Sequence, residues 1–193
     1  MNKKITTQQI VGTGLLLALE IIFQIIGNYL QFGPVNINLS LLTIVLAAVI
    51  YGPLSGAVVG FFNGLMALLS PSTMAIFMPI NPVGTIFACL LKTTLAGLTA
   101  GFVFKTLKNK NQLLALILSS VLVPAINTGV FVIFALLFFM PFLQSGVGEA
   151  YPNIASFLVF GVIGINFIFE IITTVILSTI TGTILLKRMR ETK

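Results

Sequence analysis

The feature that most constrains this chain is a lysine in the middle of an apolar helix. From Asn81 to Lys105 the sequence reads NPVGTIFACLLKTTLAGLTAGFVFK. Asn81 is placed to cap a helix and Pro82 to take its first position. Every residue from Val83 to Phe104 is apolar or small except Lys92. At 1.5 Å per residue that run covers about 33 Å, enough to cross a bilayer core. Thr85, Ala88 or Cys89, Lys92 and Ala96 recur at steps of three and four, so they share a small, polar face. Ile86, Phe87, Leu90, Leu91, Leu95 and Leu98 cover much of the rest. A lysine near the bilayer centre costs at least about 2.5 kcal/mol on insertion scales. It requires a partner, a water-filled cavity or a ligand.

The surrounding chain supports a membrane reading. Of 193 residues 58% are hydrophobic and 7% charged, with a mean hydropathy of +1.14. A soluble domain carries about a quarter charged residues. The expectation is an all-α integral membrane protein, a single domain of six transmembrane helices at about 8–30, 37–50, 54–69, 82–105, 112–140 and 154–186. Lys3 and Lys4 ahead of an apolar run imitate a signal peptide, but the run is too long, lacks a clear cleavage site and carries Glu20. With six spans, Lys3, Lys4, Lys105, Lys108, Lys110, Lys187, Arg188, Arg190 and Lys193 all fall on the side of the termini. The opposite loops hold no lysine or arginine. This positive-inside pattern puts both termini of a multi-pass cell-membrane protein in the cytoplasm. The net charge of +6 therefore reports topology, not nucleic-acid binding.

In the first helix Gln9, Thr13, Glu20 and Gln24 fall on one side, with Gly14, Ala18, Ile22 and Ile25 roughly opposite. Gly14 and Ala18 form a small-xxx-small pair suited to close helix approach, and ordinary intramolecular packing would use it equally well. Asn28–Asn36, with Gly33-Pro34, reads as a loop. Gly52, Gly56, Gly60 and Gly64 recur every four residues, a stripe for close packing in which Asn63 is the one amide. Ser70–Ile80 (SPSTMAIFMPI) is too apolar for a solvated loop and reads either as a lid over a cavity or as a re-entrant segment without a gating role. Ala96/Ala100 and Gly97/Gly101 are further small-xxx-small pairs. Pro124 lies within the fifth span, beside Asn127-Thr128-Gly129. In the sixth, Asn166, Glu170, Thr173 or Thr174, Leu177 and Thr181 share a face.

Counting from the helix ends puts Glu20, Lys92, Glu170 and Asn127 near one depth, with Asn166 about 6 Å further out. Isolated charges in lipid are expensive, so these faces are expected to converge inside the bundle. Two readings stay open: Lys92 pairs with Glu20 or Glu170 to hold helix register, or the group binds a ligand. Enzyme motifs are absent. There is no histidine, no P-loop, no Gly-x-Ser-x-Gly elbow and no metal-ligand spacing. Cys89, alone and inside a span, has neither a disulfide partner nor an activating base. No catalytic role, metal or cofactor is expected. A proton-coupled carrier working alone through Glu20 or Glu170 is the competing class; its usual inverted repeat is not found.

In order along the chain, NINLSLLTIVLAAVIYGPLSGAVVGFFNGL (Asn36–Leu65), INPVGT (Ile80–Thr85), KTTLAGLTAGFVFK (Lys92–Lys105) and PAINTGVF (Pro124–Phe131) resemble the substrate-binding S components of energy-coupling factor (ECF) vitamin transporters. The resemblance covers nearly the whole chain and is nearest to the pantothenate-type members. It implies a high-affinity vitamin-binding subunit without its own ATPase. The pocket would be formed by the fourth to sixth helices and covered by the loops joining the first to second and third to fourth. It also implies docking on a membrane scaffold subunit with two ATPases, through an Ala-xxx-Ala motif that here reads Gly14 to Ala18. A pantothenate carboxylate would use Lys92 or the Asn81/Thr85 helix start, its hydroxyls and amide Asn127 and Asn166, with Glu170 on the same face. Two buried glutamates count against an anion unless one is protonated or paired. Pyridoxine, riboflavin or folate remain alternative substrates.

Overall fold

A computed structural model describes residues 6–29, 31–32, 35–36 and 39–191. Gly33-Pro34, the expected start of the second helix at Ile37, and the terminal Lys3, Lys4 and Lys193 lie outside the described residues. The chain is helical almost throughout. Helix α1 (Thr7–Tyr29) is followed by a short antiparallel pair, β1 (Gln31–Phe32) and β2 (Val35–Asn36), with Gln31 opposite Asn36. Next come α2 (Ser40–Leu46), which continues as a π-helical turn to Tyr51, and α3 (Pro53–Leu68). The short α4 (Pro71–Ile76) leads to the long helices α5 (Pro82–Leu107) and α6 (Gln112–Phe138). After α7 (Met140–Ser145), α8 (Ile154–Ser156) runs into a π-helical stretch, Phe157–Ile163, and then α9 (Gly164–Glu191). Four stretches are long and apolar enough to cross a membrane: 7–27, 82–107, 112–138 and 154–188. The apolar segments 40–51 and 53–68 are shorter. The protein is a multi-pass helical membrane protein.

The segment 40–51 is short because it is the centre of the molecule. Leu41, Ile44, Val45 and Ala47 are fully buried, and every residue from Ser40 to Val49 is buried. Around it α1, α3, α5, α6 and α9 form a ring. A helix enclosed on all sides has no lipid-facing stripe, which accounts for its apolar residues all round apart from Ser40 and Thr43.

Gly56, Gly60 and Gly64 pack as the stripe's spacing predicts, while Gly52 makes no such contact. Helix α3 runs antiparallel to α5 with backbones in contact, Gly56 against Gly97, Gly60 against Thr93 and Gly64 against Cys89 and Leu90. A Cβ on any of these glycines would collide with the facing main chain. Gly101 meets Pro53 in the same register. Gly52 lets the chain turn between the π-helical segment and α3 at φ 106°, a conformation that favours glycine. The Ser119 hydroxyl donates to the Ala100 carbonyl oxygen at 3.0 Å, tying α6 to α5.

The last span is not one uninterrupted helix, as 154–186 suggested. It breaks at Gly164, where φ is +43°, and the preceding two turns are π-helical. Among the described residues outside the Lys92 region, Lys105, Lys108 and Lys187 lie at one end of the bundle. Thr6, Gln8 and Gln9 share a cavity with Lys105 and Lys108, and Gln112 shares a smaller one with Lys187. α4, α7 and the 146–153 turn lie at the far end.

Candidate functional site

Lys92 faces a cavity of about 240 Å³ between α5, α6 and α9. Its walls are Lys92, Asn127, Thr128 and Phe131 from the first two helices, and Val162, Ile163, Asn166, Phe167 and Glu170 from the broken last span. Four residues singled out in the sequence, Lys92, Asn127, Asn166 and Glu170, thus share one chamber. The interruption at Gly164 sits in its wall, between Ile163 and Asn166, in keeping with the tendency of π-helical segments to occur at functional sites.

The chamber is polar on one side and aromatic on the other. The Lys92 ammonium lies 5.6 Å from the Phe131 ring centroid, within cation–π range. Among the described residues no ion pair of 4 Å or less joins Lys92 to Glu170. The cavity therefore presents a cation and a carboxyl group that do not neutralise each other by direct contact. Asn127 Oδ1 is buried and accepts no hydrogen bond. A buried acceptor without a donor costs about 1–3 kcal/mol, and a ligand donor would remove that cost.

Phe131 links the chamber to a cluster at the far end of the bundle. Phe77, just after α4, meets Phe131, Phe139 and Phe142 with ring centroids 5.7, 4.9 and 5.0 Å apart. Phe142 in turn packs on Phe157 at 5.6 Å. Phe77 and Ile80 of the apolar 70–80 segment belong to this second core, with Leu143 and Leu158. The segment is held at its start by Ser70, whose hydroxyl oxygen accepts from the Thr73 backbone N–H.

Glu20 does not join Lys92, and the expected convergence of three charges is corrected. Glu20 is fully buried between α1, α2 and α3. Its Oε1 accepts from Asn63 Nδ2 at 2.5 Å, and its Oε2 is in hydrogen-bond contact with the Thr43 hydroxyl. Thr43 also reaches the Ser40 carbonyl oxygen at 2.6 Å, and Asn63 Nδ2 the Ser40 hydroxyl at 2.7 Å. Similar depth placed Glu20 and Lys92 together, but depth does not say which helix stands between them. Thr43 of the buried α2 and Asn63 of α3 supply the donors that Lys92 was expected to provide.

Asn81 and Thr85 do not line the chamber. Asn81 caps α5, its Oδ1 accepting from Gly84 N–H at 2.8 Å, and the Thr85 hydroxyl donates back to the Asn81 carbonyl oxygen at 2.8 Å. Gly14 and Ala18 lie exposed on the outer face of α1, with Val11, Leu15 and Ile22. A Cβ at Gly14 would touch nothing. The opposite face is used internally: Thr13 donates to the Ser55 hydroxyl at 3.0 Å and Gln9 to the Tyr51 carbonyl oxygen at 3.2 Å.

Phe131, Thr128, Ile163 and Phe167 are cavity residues that sequence reasoning did not single out. Phe131 follows Asn127 by four and Phe167 precedes Glu170 by three, so helical spacing carried the signal. Ser40 and Thr43, three apart in an apolar helix, were the corresponding signal for Glu20. Among the described residues no cluster of three or more His, Cys, Asp or Glu side chains is placed to hold a metal.

The sequence pattern of one family, described as "ECF transporter, substrate-specific component", matches residues 8–185. The chain belongs to this family of S components. A protein of Leuconostoc mesenteroides subsp. mesenteroides, named pantothenate transporter PanT, is 32% identical over 151 residues, 74% of this chain and 72% of the relative. S components are substrate-binding parts of transporters, not enzymes. In this S component the match runs from α1 into the last turns of α9, so it spans both the Lys92 chamber and the exposed face of α1.

Proposed function

We propose that this S component binds pantothenate in the Lys92 chamber and delivers it through an ECF-type importer. Such an importer joins it to a membrane scaffold subunit and two ATPases. The observation that carries the reading is the chamber itself, in which Lys92, the unpaired Asn127 acceptor, Asn166 and Glu170 meet without a closed ion pair. A pantothenate carboxylate would take the Lys92 end, by a charge-assisted hydrogen bond worth more than a neutral one. Its hydroxyls and amide N–H would donate to Asn127 Oδ1 and Glu170. Removing Glu20 from the site answers half of the electrostatic objection to an acidic ligand. The small volume favours a compact vitamin over a large ring system, and the likeness to a protein named as a pantothenate transporter agrees. Asn81 and Thr85 act indirectly, by fixing the start of α5.

In this reading the six helical segments span the membrane with both termini and the Lys105–Asn111 turn in the cytoplasm. Phe77 and the 70–80 segment cover the chamber from outside. The exposed Gly14–Ala18 face of α1 meets the scaffold. The test is equilibrium binding of pantothenate, pyridoxine, riboflavin and folate to the purified chain. Tight binding of pantothenate alone is the expected result. Selective retention of another vitamin would overturn the substrate. Accumulation by the chain alone in liposomes under a proton gradient would overturn the importer role.

A further inference from the structure

A hollow larger than the Lys92 chamber is lined by polar and basic side chains. It lies at the basic end of the bundle, about 550 Å³, between the start of α1, the end of the central segment and the end of α5. Thr6, Gln8, Gln9 and Tyr51 line it with the ammonium-bearing Lys105 and Lys108. The four acidic residues of the chain are elsewhere: Glu20 is sealed in the core, Glu170 lines the Lys92 chamber, and Glu149 and Glu191 are not among the lining residues. The hollow is therefore cationic without a carboxylate to answer it.

A second, apolar groove of about 370 Å³ adjoins it, running along α1 and α3 past Ile10, Gly14, Leu17, Leu54 and Val58. Gln9 and Tyr51 belong to both. At the junction the Tyr51 ring packs directly on Gly12, so a Cβ there would have to displace the ring. In the proposed topology the cationic hollow lies at the membrane surface and the adjoining apolar groove within the membrane, the polarity of one molecule with an acidic headgroup joined to an acyl chain. Basic pockets between helices at a membrane surface bind acidic lipid headgroups, each lysine adding to the attraction.

We propose that this joined site binds one anionic phospholipid, its phosphate between Lys105 and Lys108 and an acyl chain along the α1–α3 groove. The site is separate from the vitamin chamber, and because Gly14 lines its groove, scaffold docking would displace the acyl chain there. The experiment is native mass spectrometry of the full chain released from mixed vesicles of phosphatidylglycerol and phosphatidylcholine, with gel filtration to confirm folded protein. The wild type is expected to retain phosphatidylglycerol preferentially. Lys105→Gln with Lys108→Gln should lower that retention about thirtyfold, and Lys110→Gln should leave it unchanged. Val58→Trp, which fills the groove without touching a charge, should also lower it. Equal retention of the two lipids, or retention indifferent to the lysine pair, overturns the proposal. Equally tight binding of soluble glycerol phosphate places a free anion there instead. Lysine variants that retain lipid but lose assembly with the scaffold subunit make the hollow a protein interface.

Discussion

Glu20 and Glu170 sit in different surroundings, one sealed in the core and one lining the Lys92 chamber, and single substitutions test whether their roles differ. Lys92 and Glu170 share a chamber without a direct ion pair, so Lys92→Met should remove ligand affinity more than stability. Losing a charge-assisted hydrogen bond costs about 1.5–3 kcal/mol, roughly tenfold to over a hundredfold in affinity. Titration of pantothenate into the variant, beside its thermal midpoint, checks this. A variant that binds normally but unfolds early, rescued by Glu170→Gln, would make Lys92 a structural partner instead. Glu20 should behave the opposite way. Asn63→Leu leaves Glu20 Oε1 and the Ser40 hydroxyl without the amide that serves both. The expected loss is about 1–3 kcal/mol of stability, with vitamin affinity changed by less than about twofold. A large affinity loss in a stable Asn63 variant would join the two sites.

At the scale of elements, the α3–α5 pair sets the scaffold on which the chamber hangs. Its backbones touch because glycine recurs every four residues on α3 and small residues answer on α5. Gly60→Ala would drive a Cβ into the Thr93 main chain and push the helices apart. Overpacking of this kind costs about 1–3 kcal/mol, read as a lowered melting temperature. Gly129→Ala is the control. Gly129 also sits in a helix, but its Cβ would meet nothing, so this change should be neutral or slightly stabilising. Equal effects at the two positions would show that the stripe is not what holds α3 to α5.

For the whole molecule, the proposal gives one face of α1 to internal packing and the other to assembly. One face binds Ser55, Tyr51 and the Glu20 cluster, while Gly14 and Ala18 look outward. Replacing both outward residues with leucine should leave the fold and vitamin affinity intact and abolish uptake in the reconstituted importer. Pull-down with the scaffold and ATPase subunits measures the first step, labelled-vitamin uptake the second. If affinity falls while assembly survives, the face is not the docking surface.

The chain's own order of residues was enough to determine a helical membrane protein, the four long spans, the glycine register, the Asn81 cap and the polar faces. All of these follow from local periodicity and from the bilayer's demand for apolar length. It also grouped Lys92 with Asn127, Asn166 and Glu170, together with Glu20, Asn81 and Thr85, since polar residues inside a bilayer have few places to go. Tertiary structure alone decided that Glu20 belongs to Thr43 and Asn63, because helical periodicity tells which face a residue occupies and not which neighbour stands opposite. It decided too that the short second segment is the core, and that the last span breaks at Gly164. Enclosure by five other helices and a positive φ are properties of the packed bundle, written in no single stretch of the chain.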